Sequence, residues 1–396
     1  MLGAMSLWDE LTGQSEAIAI FRAAATAPTP APGGAPEGDG ESMTHSWLIT
    51  GPPGSGRSNL AFAFATALLS PGDPAGDEAT RRQVEARTHP DLGVLSTERV
   101  IISIDEVRAL VTSSQFSPSV SRYRVMVIED ADRMTERTSN VLLKALEEPP
   151  PRTVWILCAP SEADLIPTVR SRVRSVRLRV PPVSDVAELI SRRDGVDLAL
   201  ATRAAREAQS HIGMAHRLAT NEGARARREE TLETALGIRT VSDAVIAAGR
   251  LLETAAEDAR AITEERDAEE RESALRSLGV EPGGTIPPAL RAQLRSLEED
   301  QKRRATRSLR DGLDRIMVDL LSLYRDILLV QLGADLEPIN LEIADRLRLS
   351  ADSSTPEQTL ATLDGIATAR RRIDGNVAPA LALESMLITA RRSSSR

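Results

Sequence analysis

Cysteine is almost absent: Cys158 is the single one in 396 residues, which excludes an intramolecular disulfide and a cysteine-built zinc site. Aromatic residues are scarce at 2%, so a core must be assembled from Ala, Leu, Val and Ile, which suits close helix-on-helix packing. The four histidines, His45, His89, His211 and His216, show no metal-ligand spacing and read as structural. No run reaches the ~18 consecutive apolar residues that would span a bilayer. The start has neither the basic stretch nor the apolar run of a signal peptide. No membrane partner is expected, and a reducing cytoplasm is the compartment such a chain suits. Met1 and Met5 both serve as candidate starts. Positive charge is in deficit as well. The formal net charge of -9 argues against broad, autonomous DNA binding while leaving room for a local basic patch.

What is there suffices for two or three domains with a sizeable core, since 41% of residues are hydrophobic. Ser46–Thr50, Arg124–Ile128 and Thr153–Cys158 are short apolar runs that read as buried strands, with a fourth over Val176–Val180. Helical spacing fills Asn59–Leu69, Ile104–Thr112 and Thr135–Leu146, and the alternation implies a parallel, doubly wound sheet. Pro/Gly-rich loops are expected at Ala27–Met43 and Ser70–Gly76. After Pro181-Pro182 strand-like runs vanish. The expected domains are an α/β module over 1–180, a small helical lid over 181–229 and an all-α domain over 230–396. The last is broken by a loop at Gly279–Pro288 and ends in a polar tail, Ser393–Arg396. Within it, Leu313, Ile316, Met317, Leu320, Leu321, Tyr324, Ile327 and Leu328 form an amphipathic stripe. The charge-dense stretch Glu253–Arg276 reads as a solvated helix, with a coiled-coil surface as the alternative.

Two motifs carry chemistry. Gly51-Pro52-Pro53-Gly54-Ser55-Gly56-Arg57-Ser58 follows a strand and opens a helix, the setting of a phosphate loop. Its glycines let backbone N–H groups converge on phosphate oxygens, and the helix N-terminus adds positive potential. Ser58 and Asn59 complete the candidate nucleotide site, with Ser58 offering a hydroxyl to Mg²⁺. Arg57 stands where Lys is usual; it keeps the charge but is longer, planar and forked. At the end of the second strand, Glu129 and Asp130 form a pair that in phosphate-loop ATPases holds Mg²⁺ and orients water. The usual order is Asp then Glu. The inversion shifts each carboxylate by roughly 1.5 Å, where a misplacement near ~1 Å can cost about 10²-fold in rate.

The run Asn140-Val141-Leu142-Leu143-Lys144-Ala145-Leu146-Glu147-Glu148-Pro149-Pro150, with Glu129–Met134 before it, resembles the bacterial clamp-loader subunits of the AAA+ class. Leu11-Thr12-Gly13-Gln14 is similar to the family's adenine-side box. Ile166–Val173 is similar to its Ser-Arg-Cys motif, with Val173 in place of Cys, and Asn376–Glu384 to its last collar helix. The resemblance implies an AAA+ α/β module, a lid and a helical collar. It also implies the delta-prime branch. Arg57 and the inverted acids depart from the motor pattern, no zinc cysteines occupy Gly76–Ala86, and Cys158-Ala159-Pro160 lacks a sensor Thr or Asn. In the second sensor, Gly213–Arg217, His216 stands at the usual Arg, with Arg217 beside it.

That branch implies a stator in the replicative DNA polymerase III complex, which uses ATP to open a sliding clamp and place it on primed DNA. Implied partners are gamma/tau and delta subunits, the clamp and the DNA, and the implied location is the nucleoid of the cytoplasm. Arg172 is then the candidate arginine finger for a neighbour's ATP, in a strip that also holds Arg170, Arg174, Arg177 and Arg179. ATP or ADP with Mg²⁺ is the cofactor to consider, zinc is not expected, and the chain's own ATPase is expected to be weak or nil. The family is classed with DNA-directed DNA polymerase through its holoenzyme, yet no polymerase palm or exonuclease site is evident. The alternatives are an active gamma/tau-like motor and another AAA+ replication or recombination ATPase such as a Holliday-junction motor.

Overall fold

The computed structural model describes Trp8 and residues 11–27, 43–70, 77–97, 101–277 and 291–391. Of the loops expected at Ala27–Met43 and Ser70–Gly76, residues 28–42 and 71–76 lie outside the described residues, as do the expected loop Gly279–Pro288 and the tail Ser393–Arg396. The chain separates into two compact units, Met1–Thr220 and Asn221–Arg396.

In the first unit, helix α1 (Ser15–Thr26) precedes strand β1 (Ser46–Thr50), followed by α2 (Arg57–Leu69) and α3 (Glu78–Glu85). Then come β2 (Leu92–Leu95), α4 (Ile104–Ser114), β3 (Arg124–Ile128), α5 (Glu136–Glu147), β4 (Thr153–Ala159), α6 (Pro167–Arg170) and β5 (Arg174–Arg177). All five strands are parallel, in the order β2-β3-β4-β1-β5. Side chains alternate across the pleat, and both faces are covered. Trp47, Ile49, Val125, Val127, Val154, Ile156 and Cys158 join one core cluster, which includes α1 and α2. Leu48, Met126, Ile128, Trp155 and Leu157 join the other, which includes α4 and α5. This is the doubly wound α/β arrangement the strand runs predict. The few aromatics are concentrated: Phe21, Trp47 and Phe64 stack with centroids 4.7–5.6 Å apart.

The connection into β3 is pinned by one buried carboxylate. Asp91 accepts from the backbone N–H of Ser119, Val120 and Ser121 and from Ser119 Oγ, at 2.6–2.9 Å. Burial alone would raise its pKa, but these bonds outweigh it and hold the carboxyl below the usual range. The unit ends with α7 (Val183–Asp194), α8 (Leu198–Glu207) and α9 (Ile212–Thr220), the helices expected after Pro181-Pro182.

Among its described residues the second unit has helices and no strand: α10 (Glu222–Leu236), α11 (Val241–Ser277), α12 (Arg291–Gln331), α13 (Ala344–Asp352), α14 (Pro356–Asp374) and α15 (Pro379–Thr389). Of the stripe predicted on α12, Leu313, Ile316, Met317, Leu320, Tyr324 and Ile327 lie in the core with Ala244, Ala248, Leu251 and Ala255 of α11, while Leu321 and Leu328 are half-buried. A side chain at Gly312 would come within 3.1 Å of the Ala255 carbonyl, so glycine lets α11 and α12 approach closely there. A polar network runs through this apolar bundle. Arg228 donates to Asp319 and Asn340, while fully buried Asp326 accepts from the Asn340 backbone and side chain at 2.8 Å.

Candidate functional site

The phosphate-loop motif spans the turn between β1 and α2, at the carboxyl ends of the strands, where doubly wound sheets bind ligands. The Gly51 N–H bonds to the Pro160 carbonyl at 3.2 Å, tying the loop to the end of β4. Gly54 and Gly56 hold φ of 77° and 91°, a region that favours glycine. Two polar atoms inside the loop are buried and make no hydrogen bond: Ser55 Oγ and Arg57 Nη1. Buried polar atoms are normally paired, so this cradle retains unused capacity that fits a phosphate. Ser58 is half-buried and Asn59 exposed on the first turn of α2.

Glu129 and Asp130 follow β3, and the positive charge of Arg57 acts on the same cluster. Burial pushes the Cys158 thiol far up, Arg57 opposes the rise, and Glu129 and Asp130 add to it. Cys158 is thus a packing thiol. Burial also raises the carboxyl of the neighbouring Asp132, against the charges of Arg133 and Arg57. Sequence reasoning missed the residue that holds Glu129. Arg87 Nη2 lies 2.5 Å from Glu129 Oε1, and the same guanidinium sits over the Phe62 ring, 5.6 Å from its centroid. Arg87 follows α3 with φ of 56°, an uncommon conformation for a side-chain-bearing residue. Arg133 Nε lies 3.9 Å from Asp130 Oδ2. Both acids of the pair therefore face arginines. Among the described residues no three acidic, histidine or cysteine side chains converge, so a magnesium ion there would rest on one or two carboxylates together with water and the nucleotide's own phosphates.

The lid helices bring an unpredicted residue to the loop. Gln209 and Ser210 both have positive φ, 50° and 63°, and turn the chain so that His211 lies over Gly54. A side chain at Gly54 would overlap the His211 ring at 2.1 Å, and Ile212 N–H bonds to the Gly54 carbonyl at 3.2 Å. His211 Nδ1 accepts from Met214 N–H, which places the proton of the neutral ring on Nε2. The predicted sensor His216 points elsewhere: its Nδ1 is 2.7 Å from Asp194 Oδ2, an acid also bonded by Arg193. Burial would raise the pKa of Asp194, but the bonds from Arg193 and His216 prevail and lower it. Arg217 is half-buried on α9. No lone signal marks His211 in the sequence; its position over Gly54 follows from the two left-handed residues before it.

Arg172 stands apart from this cluster, after the single turn of α6. Its Nε donates to Glu147 Oε1 at 2.6 Å, and its Nη2 also pairs with that carboxylate. Nη1 donates to the Thr168 carbonyl at 2.6 Å and to Ser171 Oγ at 3.0 Å. The side chain is about one-third exposed. Gln14 of the predicted adenine-side box is buried, with its amide bonding both N–H and C=O of Arg179.

Residues 38–182 match the family described as DNA polymerase III, delta subunit. Over 154 residues the chain is 32% identical to the DNA polymerase III subunit delta' of Pseudomonas aeruginosa, covering 37% of this chain and 47% of that one. It is 31% identical over 155 residues to the Escherichia coli subunit delta', covering 37% and 46%. Against the gamma/tau subunit of Mycobacterium tuberculosis the identity is 26% over 159 residues, covering 39% and 28%. The chain spans about half the length of the delta' relatives it matches. Among solved structures, a gamma subunit-related protein from Thermotoga maritima aligns over 87% of this chain and 93% of its own, at 18% identity and a TM-score of 0.41.

Proposed function

We propose that this chain, a delta'-like clamp-loader subunit by its match over residues 38–182, is the stator of a DNA polymerase III clamp loader. It would work in the cytoplasm beside gamma/tau and delta subunits, in a complex that spends ATP to open a sliding clamp and load it on primed DNA. Arg172 would stabilise the charge on the phosphate of an ATP held by the neighbouring subunit. The helical unit Asn221–Arg396 would hold the subunit in the ring as a collar.

The observation that carries this reading is the contrast between two arginine sites. Arg172 sits on a surface turn, with its hydrogen bonds going to Glu147, Thr168 and Ser171 and not to its own phosphate loop. In the chain's own site, the acid that would serve a metal is engaged by Arg87. A partly exposed surface arginine on a module whose own acids are occupied fits a subunit that lends catalysis to a neighbour.

The test is reconstitution with the partner subunits, followed by ATPase assay with clamp and primed DNA. Arg172→Ala is expected to leave assembly intact. It should lower stimulated turnover severalfold, because a finger supplies roughly 10³–10⁵ at each site that depends on it. The purified chain alone should turn over little ATP. Brisk turnover by the isolated chain, together with a silent Arg172→Ala, would instead mark a gamma/tau-like motor.

A further inference from the structure

We propose that the phosphate loop binds the diphosphate tail of a nucleotide without a divalent cation, Arg57 supplying the positive charge that magnesium supplies elsewhere. This goes beyond the stator reading and does not depend on Arg172.

Three observations converge. The first is unused capacity in the cradle: Ser55 is 2% exposed, and its Oγ makes no hydrogen bond. That atom points into the loop, since a side chain on Gly51 would lie 2.7 Å from it. Arg57 Nη1, at the first position of α2, is likewise buried and without a partner. A guanidinium nitrogen kept from water and unpaired is costly, and an anion would relieve that cost.

The second observation is that the metal side of the site is already taken. Glu129 is paired with Arg87 at 2.5 Å. That pairing is built into the fold, by a left-handed backbone at Arg87 and by its stacking over Phe62. Asp130 has Arg133 at 3.9 Å. Magnesium needs near-ideal octahedral oxygen geometry and loses its water reluctantly, so acids engaged by arginines are poor recruits.

The third observation is charge balance. Glu129, Asp130 and Asp132 stand against Arg57, Arg87 and Arg133, so the cluster is formally neutral before any ligand arrives. A neutral cluster with spare N–H donors takes an anion readily and gains little from a dication. Arginine suits the task better than lysine, because its planar fork offers several donors to phosphate oxygens and it stays charged at any working pH.

The test is equilibrium binding of ADP to the full chain in magnesium buffer and in EDTA. ADP is expected to bind at least as tightly in EDTA as in magnesium buffer, where part of the nucleotide is tied up as its magnesium complex. Arg57→Ala, checked by thermal unfolding to be folded, should weaken ADP binding by about tenfold or more, the loss expected for charge-assisted bonds. Arg87→Ala releases Glu129, and ADP should then bind several times more tightly with magnesium than in EDTA. Loss of binding in EDTA by the unsubstituted chain overturns the proposal, and so does a failure to bind ADP in either buffer. Undiminished binding by Arg57→Ala overturns the role given to Arg57. The stator reading is judged separately, by Arg172→Ala in the assembled complex.

Discussion

Arg172 and Glu147 form a side-on pair: Nε of the guanidinium is 2.6 Å from Oε1 of the carboxylate, and Nη1 turns back to the Thr168 carbonyl. The pair joins the end of α5 to the turn after α6. Nearly all the N–H donors of Arg172 are thereby used within the chain, and a phosphate could claim them only by displacing Glu147.

For an arginine acting in trans, Glu147 is then a competitor. Glu147→Gln should raise the ATPase of the assembled complex without DNA by roughly threefold to fivefold, the worth of a partly exposed ion pair of ~1 kcal/mol. The fully stimulated rate should not change. A fall in both rates would mean that Glu147 presents the guanidinium to the neighbour instead of retaining it.

Asp91 should be among the most sensitive positions for stability. Asp91→Ala leaves three backbone N–H groups of the loop before β3 without their acceptor, at a cost of about 3 kcal/mol. Urea unfolding should show a lower midpoint at unchanged slope. Because the folded-state pKa of Asp91 is depressed, its stabilisation is fully present above the unfolded value of about 4 and is lost as pH falls through the folded value. Asp91→Asn should therefore lose less stability on acidification than the unsubstituted chain.

In the helical unit, Asp326→Ala strips the Asn340 backbone and side chain of a buried acceptor and leaves Arg325 without its partner. A loss of about 3–5 kcal/mol is expected, as for other broken buried ionic networks, read by denaturant unfolding of the full chain.

Leu381 and Ile388 lie on the outer side of α15, 62% and 40% exposed, opposite the buried Leu383, Met386 and Leu387. Exposed apolar side chains of this kind suit a subunit interface. Leu381→Asp with Ile388→Asp should change the stability of the isolated chain by only about 0.5 kcal/mol per site. Co-purification with the partner subunits should nevertheless be lost; intact assembly would remove α15 from the collar contact.

Much of the α/β module was legible because its central strands are unbroken apolar runs. Ser46–Thr50, Arg124–Ile128 and Thr153–Ala159 appear where the residues place them, the last one residue longer. Two edges were harder. Strand β2 is four residues with Gly93 inside, too short and too weak in β-formers to stand out. The last strand was expected at Val176–Val180 and is found at Arg174–Arg177, because pairing with Trp47–Thr50 sets its register and its arginines face outward. The phosphate loop was legible from spacing. Arg87 and His211 were not, since each reaches the site through a left-handed backbone that an arginine, a glutamine or a serine does not advertise.

The confinement of bulky rings to one half of the chain gives the molecule a built-in optical label. Trp8, Trp47 and Trp155 all belong to Met1–Thr220, whereas the sequence after Thr220 holds no tryptophan and a single tyrosine, Tyr324. Indole emission therefore reports on the α/β half alone, while far-ultraviolet dichroism is weighted by the long helices of the other. Melting curves followed by the two signals can be overlaid to ask whether the halves unfold together or in turn. Trp47 also meets Phe64 edge-on at 5.6 Å, and Phe64 rides on the helix that the phosphate loop opens. Titrating unlabelled ADP while following indole emission tests whether a change at the loop reaches Trp47.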